Sequence, residues 1–339
     1  MNAPLLNALA QSETTQTETI PIETTEREDF RRAVLSGLSR RPRAIPAKFL
    51  YDAKGSALFD EICELPEYYL TRTEIGILKD RARDIARLAG PGAALVEFGS
   101  GSSVKSRLLL DAMDDLAVYA PIDISRQHLE GSAARLRRDY PHLKVEPVFG
   151  DYMELRALPR VAEGRRCLGF FPGSTVGNLE PDEAVAFLRN ARTLLGDGGA
   201  LVLGVDLRKD RQVLHDAYND SAGVTAAFTL NLLRRMNREL DASFDLAGFE
   251  HDASYNAHEG RIEIFIRSLR DQTAMIGNRQ FTFAAGERVH TEYSYKYDMD
   301  GIAALARAGG FRIAETWTDA DRLFAVVYLV AGLQAAPQK

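Results

Sequence analysis

Apolar residues change their spacing along this chain, and each change predicts an element. From about residue 27 to residue 90 the spacing is helical: Ile75, Leu78, Ala82, Ile85 and Ala86 share one face among Arg, Lys and Asp. Beyond Gly90, short apolar runs alternate with amphipathic stretches. Residues 95–98, 118–122, 145–149, 167–171 and 200–205 read as buried strands, with helices at 104–113, 127–140 and 181–195 between them. That rhythm predicts a parallel sheet covered by helices on both faces. At the end of the chain, 299–308 reads as a helix, and 311–316 and 324–331 as two strands joined by a turn at 318–322. Residues 207–298 break the rhythm. They offer a long helix at 223–240 and strands at 249–256, 261–269 and 289–297, with strict alternation in Arg261-Ile-Glu-Ile-Phe-Ile-Arg267. The pattern predicts two units. Residues 72–206 and 299–339 build the sheet, and residues 20–71 and 207–298 form a discontinuous α+β unit inserted into it. Residues 1–19 are expected to be a disordered tail. The Thr-, Glu- and Gln-rich stretch 11–29 has few large apolar side chains with which to pack.

Composition narrows the class. With 339 residues, 45% hydrophobic and 27% charged, this is an ordinary globular chain. A formal charge of −6 offers nothing to attract nucleic acid or an anionic membrane. No apolar run reaches the length of a membrane span, and no basic stretch precedes the short apolar patch at the N-terminus, so neither an anchor nor a signal peptide is expected. The two cysteines, Cys63 and Cys167, are too few for a disulfide framework and fit a reducing cytoplasm. The six histidines show no metal-binding spacing, so no metal is expected. The chain is expected to be a monomer acting on a small molecule, with no nucleic-acid or membrane partner.

Chemistry concentrates first at Ala94-Leu-Val-Glu-Phe-Gly-Ser-Gly-Ser-Ser-Val-Lys-Ser106, a strand, a Gly-Ser-Gly turn and the start of a helix. Such a turn brings backbone close to a nucleotide-like ligand. The dinucleotide fingerprint needs a third glycine where this chain has Val104, and Glu97 at the strand end would repel a pyrophosphate. A carboxylate there suits a cationic ligand, such as the ammonium of S-adenosylmethionine; the bland alternative is a plain strand-to-helix turn. Asp123, 22 positions beyond Gly101, ends the second strand, where a carboxylate can accept from ribose hydroxyls. Asp151 follows the third strand and could take an adenine amino group, with Tyr152 stacking on the ring. Either aspartate could instead cap a helix or a turn. Lys105, near the positive end of the first helix, could pair with the methionine carboxylate or lie in solvent.

A second constellation lies in His290-Thr-Glu-Tyr-Ser-Tyr-Lys-Tyr297. Alternation puts Glu292 and Ser294 on one face of a strand and Tyr293, Tyr295 and Tyr297 on the other. A carboxylate and a hydroxyl about 7 Å apart suit the two nitrogens of an imidazole, unless the strand is a solvated edge. The loop Phe170-Phe-Pro-Gly-Ser-Thr-Val-Gly-Asn178 follows the fourth strand, and its Asn178 could hold an amino or carboxylate group or cap the next helix. Tyr51, Tyr68 and Tyr218 recur in loop-like contexts, where each by itself reads as a core or rim residue.

Six motifs carry a resemblance. They are Phe49-Leu-Tyr-Asp-Ala-Lys-Gly-Ser-Ala-Leu-Phe-Asp60, Leu65-Pro-Glu-Tyr-Tyr-Leu-Thr-Arg72, Glu97-Phe-Gly-Ser-Gly-Ser-Ser-Val-Lys105, Gly173-Ser-Thr-Val-Gly-Asn-Leu179, Gly223-Val-Thr-Ala-Ala-Phe228 with Asn237-Arg-Glu-Leu240, and Thr291-Glu-Tyr-Ser-Tyr-Lys296. From about residue 30 onward the chain resembles the L-histidine Nα-methyltransferases of ergothioneine biosynthesis. The resemblance implies an α/β fold of class I S-adenosylmethionine-dependent methyltransferases, a Rossmann-like seven-stranded sheet whose last strand is antiparallel, with an inserted α+β substrate-binding domain. It implies three methyl transfers to the α-amino nitrogen of histidine, giving hercynine. It places Tyr68, Asn178, Tyr218, Glu292 and Ser294 on histidine, with Tyr51 near the amino group as the catalytic candidate. Asn178 and Tyr218 would hold the carboxylate and amine, and Glu292 and Ser294 would read the imidazole. Gly99, Lys105, Asp123, Asp151 and Tyr152 would bind S-adenosylmethionine. One position departs from the family: Ile264 stands where a methionine usually lines the pocket. That keeps open another amino acid, such as tryptophan, or a partly methylated histidine as substrate. A non-catalytic S-adenosylmethionine-binding regulator would lack turnover with any amino acid. A nicotinamide oxidoreductase is disfavoured by Glu97 and Val104.

Overall fold

The structure, a computed structural model, describes residues 22–101 and 104–332; the expected tail, 1–19, lies outside the described residues. The elements are α1 (Ile22–Ser39), β1 (Arg43–Ala44), α2 (Ala53–Cys63) and α3 (Tyr69–Ala89), then β2 (Ala94–Phe98), α4 (Val104–Leu110), β3 (Val118–Asp123), α5 (Arg126–Asp139), β4 (Lys144–Val145), β5 (Val148–Phe149), β6 (Cys167–Phe171), α6 (Pro181–Leu195) and β7 (Ala200–Asp206). They continue with α7 (Arg211–Tyr218), α8 (Val224–Glu239), β8 (Phe249–Asn256), β9 (Arg261–Ser268), β10 (Gln272–Ile276), β11 (Arg279–Phe283) and β12 (Arg288–Tyr295). The chain closes with α9 (Met299–Ala308), β13 (Phe311–Thr318) and β14 (Phe324–Ala331).

The large sheet runs β13-β14-β7-β6-β2-β3, with β4 and β5 both paired to β3 at the far edge. Strands β2, β3, β6 and β7 are parallel, and β14 is antiparallel to both β7 and β13. The single strand expected at 145–149 is broken because Pro147 has no N–H to give the ladder. Alternate residues of each strand serve opposite cores. Leu95, Phe170, Val202 and Tyr328 face one side, and Val96, Phe171, Leu203 and Val327 the other. Both faces are covered by helices, so β2, β6 and β7 are buried along their whole length. Strand order reverses at β2, which neighbours both β3 and β6, and a ligand crevice opens beyond the carboxyl ends of strands at such a point.

A second sheet runs β1-β12-β9-β8, with β1 parallel to β12 and the rest antiparallel. Residues before β2 bind to this part of the chain: Asn231 donates to Asp52 (2.7 Å) and Arg235 to the Phe49 carbonyl (2.9 Å). Three further features differ from the sequence reading. Helix α1 starts at Ile22, inside the polar stretch expected to be loose, because Phe30, Val34 and Leu38 place one turn after another in the core. Helix α7 is short, with three buried residues, too few for a clear period. The hairpin β10–β11 turns at Gly277-Asn278, where Gly277 has φ 55°.

The two sheets meet at their ends. Tyr297 N donates to the Asp206 carbonyl (3.0 Å), and Arg208 N donates to the Tyr297 carbonyl (2.8 Å). The C-terminal end of β12 is thereby held against the C-terminal end of β7, beside the crevice. Beneath it, Phe187 packs on Phe171 with ring centroids 4.2 Å apart and edge-on to Phe98. Phe187→Ala is expected to lower the free energy of unfolding by about 3–5 kcal/mol, read from urea denaturation midpoints.

Candidate active site

The site grows from the turn after β2. Gly99 and Gly101 have φ of 77° and 44°, conformations that favour glycine. A Cβ on Gly99 would stand 3.7 Å from the Tyr152 ring, and one on Gly101 would meet nothing within 4 Å among the described residues. The turn is thus a bare backbone cradle below Tyr152, whose ring rests edge-on against Phe171 and Phe187. Asp123 closes one side. Its carboxylate accepts from Gly101 N (3.3 Å) and Ser125 N (2.9 Å). Asp151 accepts from Met153 N (2.9 Å), the turn-forming role that the sequence left open, and keeps its second oxygen free of hydrogen bonds among the described residues. Ser100 Oγ is buried with no partner among the described residues. Half-buried carboxylates, a spare hydroxyl and an aromatic ring around an uncovered glycine turn fit the ribose and base of a nucleoside cofactor.

Glu97 is enclosed rather than turned to a ligand. It is 1% exposed and accepts from Ser106 Oγ (2.7 Å) and from the Tyr119 hydroxyl. Burial raises its pKa to about 7. Lys105 is also engaged within the protein, 2.6 Å from Glu74, whose buried carboxylate accepts from Gly173 N as well.

The acceptor side is built on β12. A bulge between His290 and Glu292 resets the alternation there. Val289, Glu292 and Ser294 oppose Ile266, Ile264 and Ile262 of β9, so all three lie on the same face. The extra residue, Thr291, donates its hydroxyl to the Ile264 carbonyl (3.0 Å). Apolar Val289 therefore gives way to Glu292, Ser294 and Lys296 on one buried face. Asn178 Nδ2 donates to Glu292 Oε1 (2.8 Å), and the Tyr218 hydroxyl lies 2.8 Å from Ser294 Oγ. Burial also raises the Glu292 pKa to about 7, with the Lys296 charge opposing. Tyr51 and Tyr68 complete an arc of rings with Phe59, Phe228 and Tyr218, at centroid spacings of 5.4–6.4 Å. Burial, and the Glu292 charge as a smaller cause, lift both phenols well above their ordinary pKa. The structure brings Tyr51, Tyr68, Asn178, Tyr218, Glu292 and Ser294 into one cluster. Gly99, Asp123, Asp151 and Tyr152 form a second. Lys105 touches neither; it binds Glu74.

Sequence reasoning missed the charges behind the acceptor wall. Lys296 Nζ donates to Asp206 Oδ2 (2.7 Å), Tyr218 Oη (2.8 Å) and Ser294 Oγ (2.8 Å). Asp206 also receives the Tyr69 hydroxyl (2.8 Å) and the ammonium of Lys209. The signal was present: Lys296 continues the period-two series from Glu292, and Asp206 ends the fifth strand.

A sheet of this order, with an antiparallel last strand and a glycine turn at its reversal, is that of the class I S-adenosylmethionine-dependent methyltransferases. The family model for histidine-specific, S-adenosylmethionine-dependent methyltransferases matches residues 30–331. The chain belongs to that family. It is 44% identical over 298 residues to the histidine N-alpha-methyltransferase of Mycolicibacterium smegmatis, covering 86% of this chain and 92% of that one. It is 41% identical to the Mycobacterium tuberculosis protein of the same name, covering 86% and 91%. Ergothioneine biosynthesis protein 1 of Neurospora crassa is 32% identical over 286 residues, which are 82% of this chain and 32% of that longer protein.

A Cβ on Gly177 would lie 2.7 Å from the Tyr295 carbonyl oxygen, so Gly177→Ala must push the Thr175–Asn178 turn off β12 and carry Asn178 from Glu292. We expect KM for the amino-acid substrate to rise about 10-fold or more with S-adenosylmethionine affinity unchanged, as measured by steady-state kinetics and calorimetry. Glu97 tests pH linkage. Its raised pKa means that the folded state holds the proton more tightly than the unfolded chain. The stabilisation is full below pH 4.5 and is lost as pH rises through about 7. Over that window the wild type should lose up to about 3 kcal/mol more stability than Glu97→Gln, read from urea unfolding at each pH.

Proposed function

We propose that this chain methylates the α-amino nitrogen of L-histidine three times to give Nα,Nα,Nα-trimethylhistidine (hercynine), the first step of ergothioneine biosynthesis. The observation that carries the reading is the pairing on β12. Glu292 and Ser294 stand two residues apart on one buried face, each backed by a partner from another element, Asn178 and Tyr218. A carboxylate acceptor beside a hydroxyl is the complement of an imidazole edge. Family membership and the 44% identical relative support the same substrate.

S-adenosylmethionine supplies an electrophilic methyl group on a sulfonium. Gly99, Asp123, Asp151 and Tyr152 would hold it in the crevice beyond β2, and Glu74 would link Lys105, in the first turn of α4, to the loop that carries Asn178. The chain's task is then mainly positioning. Glu292 and Ser294 would fix the ring, while Asn178 and Tyr218 would orient the carboxylate and amine. The amine must be neutral to attack. Tyr51 and Tyr68 stay protonated at neutral pH because their pKa values lie well above the usual phenol value. They would therefore relay the amine proton through their hydroxyls to water rather than keep it. The aromatic arc gives the growing methylammonium a face to rest on, worth about 0.5–2 kcal/mol. Tyr51 is the residue we assign to it. Ile264, 3% exposed and opposite Glu292, would shape the floor of the pocket.

Residues 20–71 and 207–298 would form the substrate-binding domain and 72–206 with 299–339 the cofactor-binding one. The chain would work as a monomer in the cytoplasm, a setting that suits the free thiols Cys63 and Cys167. Among the described residues no helix is long and apolar enough to cross a membrane.

Mass spectrometry of histidine incubated with the protein and S-adenosylmethionine should show a gain of three methyl groups. Glu292→Ala should lower kcat/KM for histidine by about 10²–10⁴ while leaving S-adenosylmethionine affinity nearly unchanged. Equal losses for both ligands, or turnover of tryptophan in preference to histidine, would overturn the assignment.

A further inference from the structure

Lys296 and Asp206 are both enclosed in the protein, 2.7 Å apart. Lys296 also donates to Tyr218 Oη and Ser294 Oγ, each at 2.8 Å, so all three of its N–H bonds are used. The two hydroxyl oxygens are themselves 2.8 Å apart, which closes a triangle of hydrogen bonds. An ammonium can donate but never accept. Although burial alone would depress its pKa, the neighbouring Asp206 carboxylate raises it and keeps Lys296 charged. Each hydroxyl therefore accepts from Lys296. Only one of the two hydroxyl protons can lie along the Tyr218–Ser294 edge; the other must point out of the triangle. On the same face of β12, Glu292 gives Oε1 to Asn178 and leaves Oε2 without a hydrogen bond among the described residues.

We propose that Lys296 is a specificity-determining positioning residue: it forces the Tyr218–Ser294 pair to present one outward O–H beside the acceptor oxygen of Glu292, and so selects a ring with one N–H and one bare nitrogen, the neutral imidazole. This inference rests on the histidine reading and deepens it. A buried carboxylate by itself would draw a second proton onto the ring. Here a second ring proton would confront the outward O–H and would add a cation close to Lys296. An indole offers an N–H for Glu292 but no bare nitrogen, so the outward O–H would stay buried and unpaired. The device thus separates histidine from tryptophan as well as imidazole from imidazolium.

The test is ¹⁵N NMR of ring-labelled histidine bound to the intact protein with S-adenosylhomocysteine at about pH 7, close to the ordinary histidine pKa. In the wild type we expect one protonated and one bare ring nitrogen. In Lys296→Met both nitrogens should be protonated and histidine affinity should fall about 10-fold or more. Lys296→Arg, still a pure donor, should keep the ring neutral. Lys209 and Tyr69 remain on Asp206 in these variants, so its carboxylate keeps partners. A merely structural role would weaken binding without changing ring protonation. An imidazolium in the wild type, or a neutral ring in Lys296→Met, overturns the proposal and leaves the histidine reading standing. The wild-type spectrum decides the point even if Lys296→Met does not fold. If labelled histidine does not bind the wild type, the histidine reading fails and takes this inference with it.

Discussion

The acceptor wall depends on one buried carboxylate. Asp206 ends β7 and draws four other parts of the chain to itself. Its side chain receives Lys296 from just beyond β12, Tyr69 from the start of α3 and Lys209 from the loop after β7. Its own N–H donates to Ser174 Oγ (2.9 Å) in the loop after β6. A charge removed from water is stable only when it is paired and hydrogen-bonded, so Lys296, Tyr69 and Lys209 are held in place by the need to satisfy it. The position of Ser294 and Tyr218 is a consequence, since both stand on the ammonium that Asp206 holds.

A parallel arrangement ties the cofactor side to the acceptor side. Glu74, buried in α3, binds Lys105 from α4 and the backbone of Gly173 from the loop that carries Asn178. Gly204 of β7 lies so close to that carboxylate that a Cβ there would come within 2.1 Å of it. The helix that precedes the sheet therefore acts as a brace between α4 and the loop after β6. A displacement of either is resisted by the same buried carboxylate.

The large sheet was readable because its strands are short apolar runs whose two faces are both buried, a pattern that does not depend on distant partners. The glycine turn and the aspartates at the ends of β3 and β5 were readable for the same reason: strand ends and turns are local. The pairing of Glu292 with Ser294 was visible from alternation alone, although the bulge at Thr291 that sets its phase was not. What the sequence hid were the contacts of long separation. Glu97 read as a ligand for a cation, yet Ser106 and Tyr119 enclose it. Lys105 read as a partner for a carboxylate, and it has one, but from Glu74. Alternation places Lys296 on the face of Glu292, but that the ammonium is buried follows only when Asp206, 90 residues earlier in the chain, is brought beside it.

The edges of the large sheet carry one more consequence. At one side, Pro147 cuts the last strand into two pairs of residues, β4 and β5, so no long row of free N–H and C=O groups is offered there. At the other, β13 is eight residues long, but its pairing slips between Ile313 and Glu315 and it carries Arg312 and Glu315 along its length. A foreign strand approaching either margin meets a missing donor, a kink or a charge. Neither margin of the large sheet therefore offers a clean template on which a strand of another molecule could extend it.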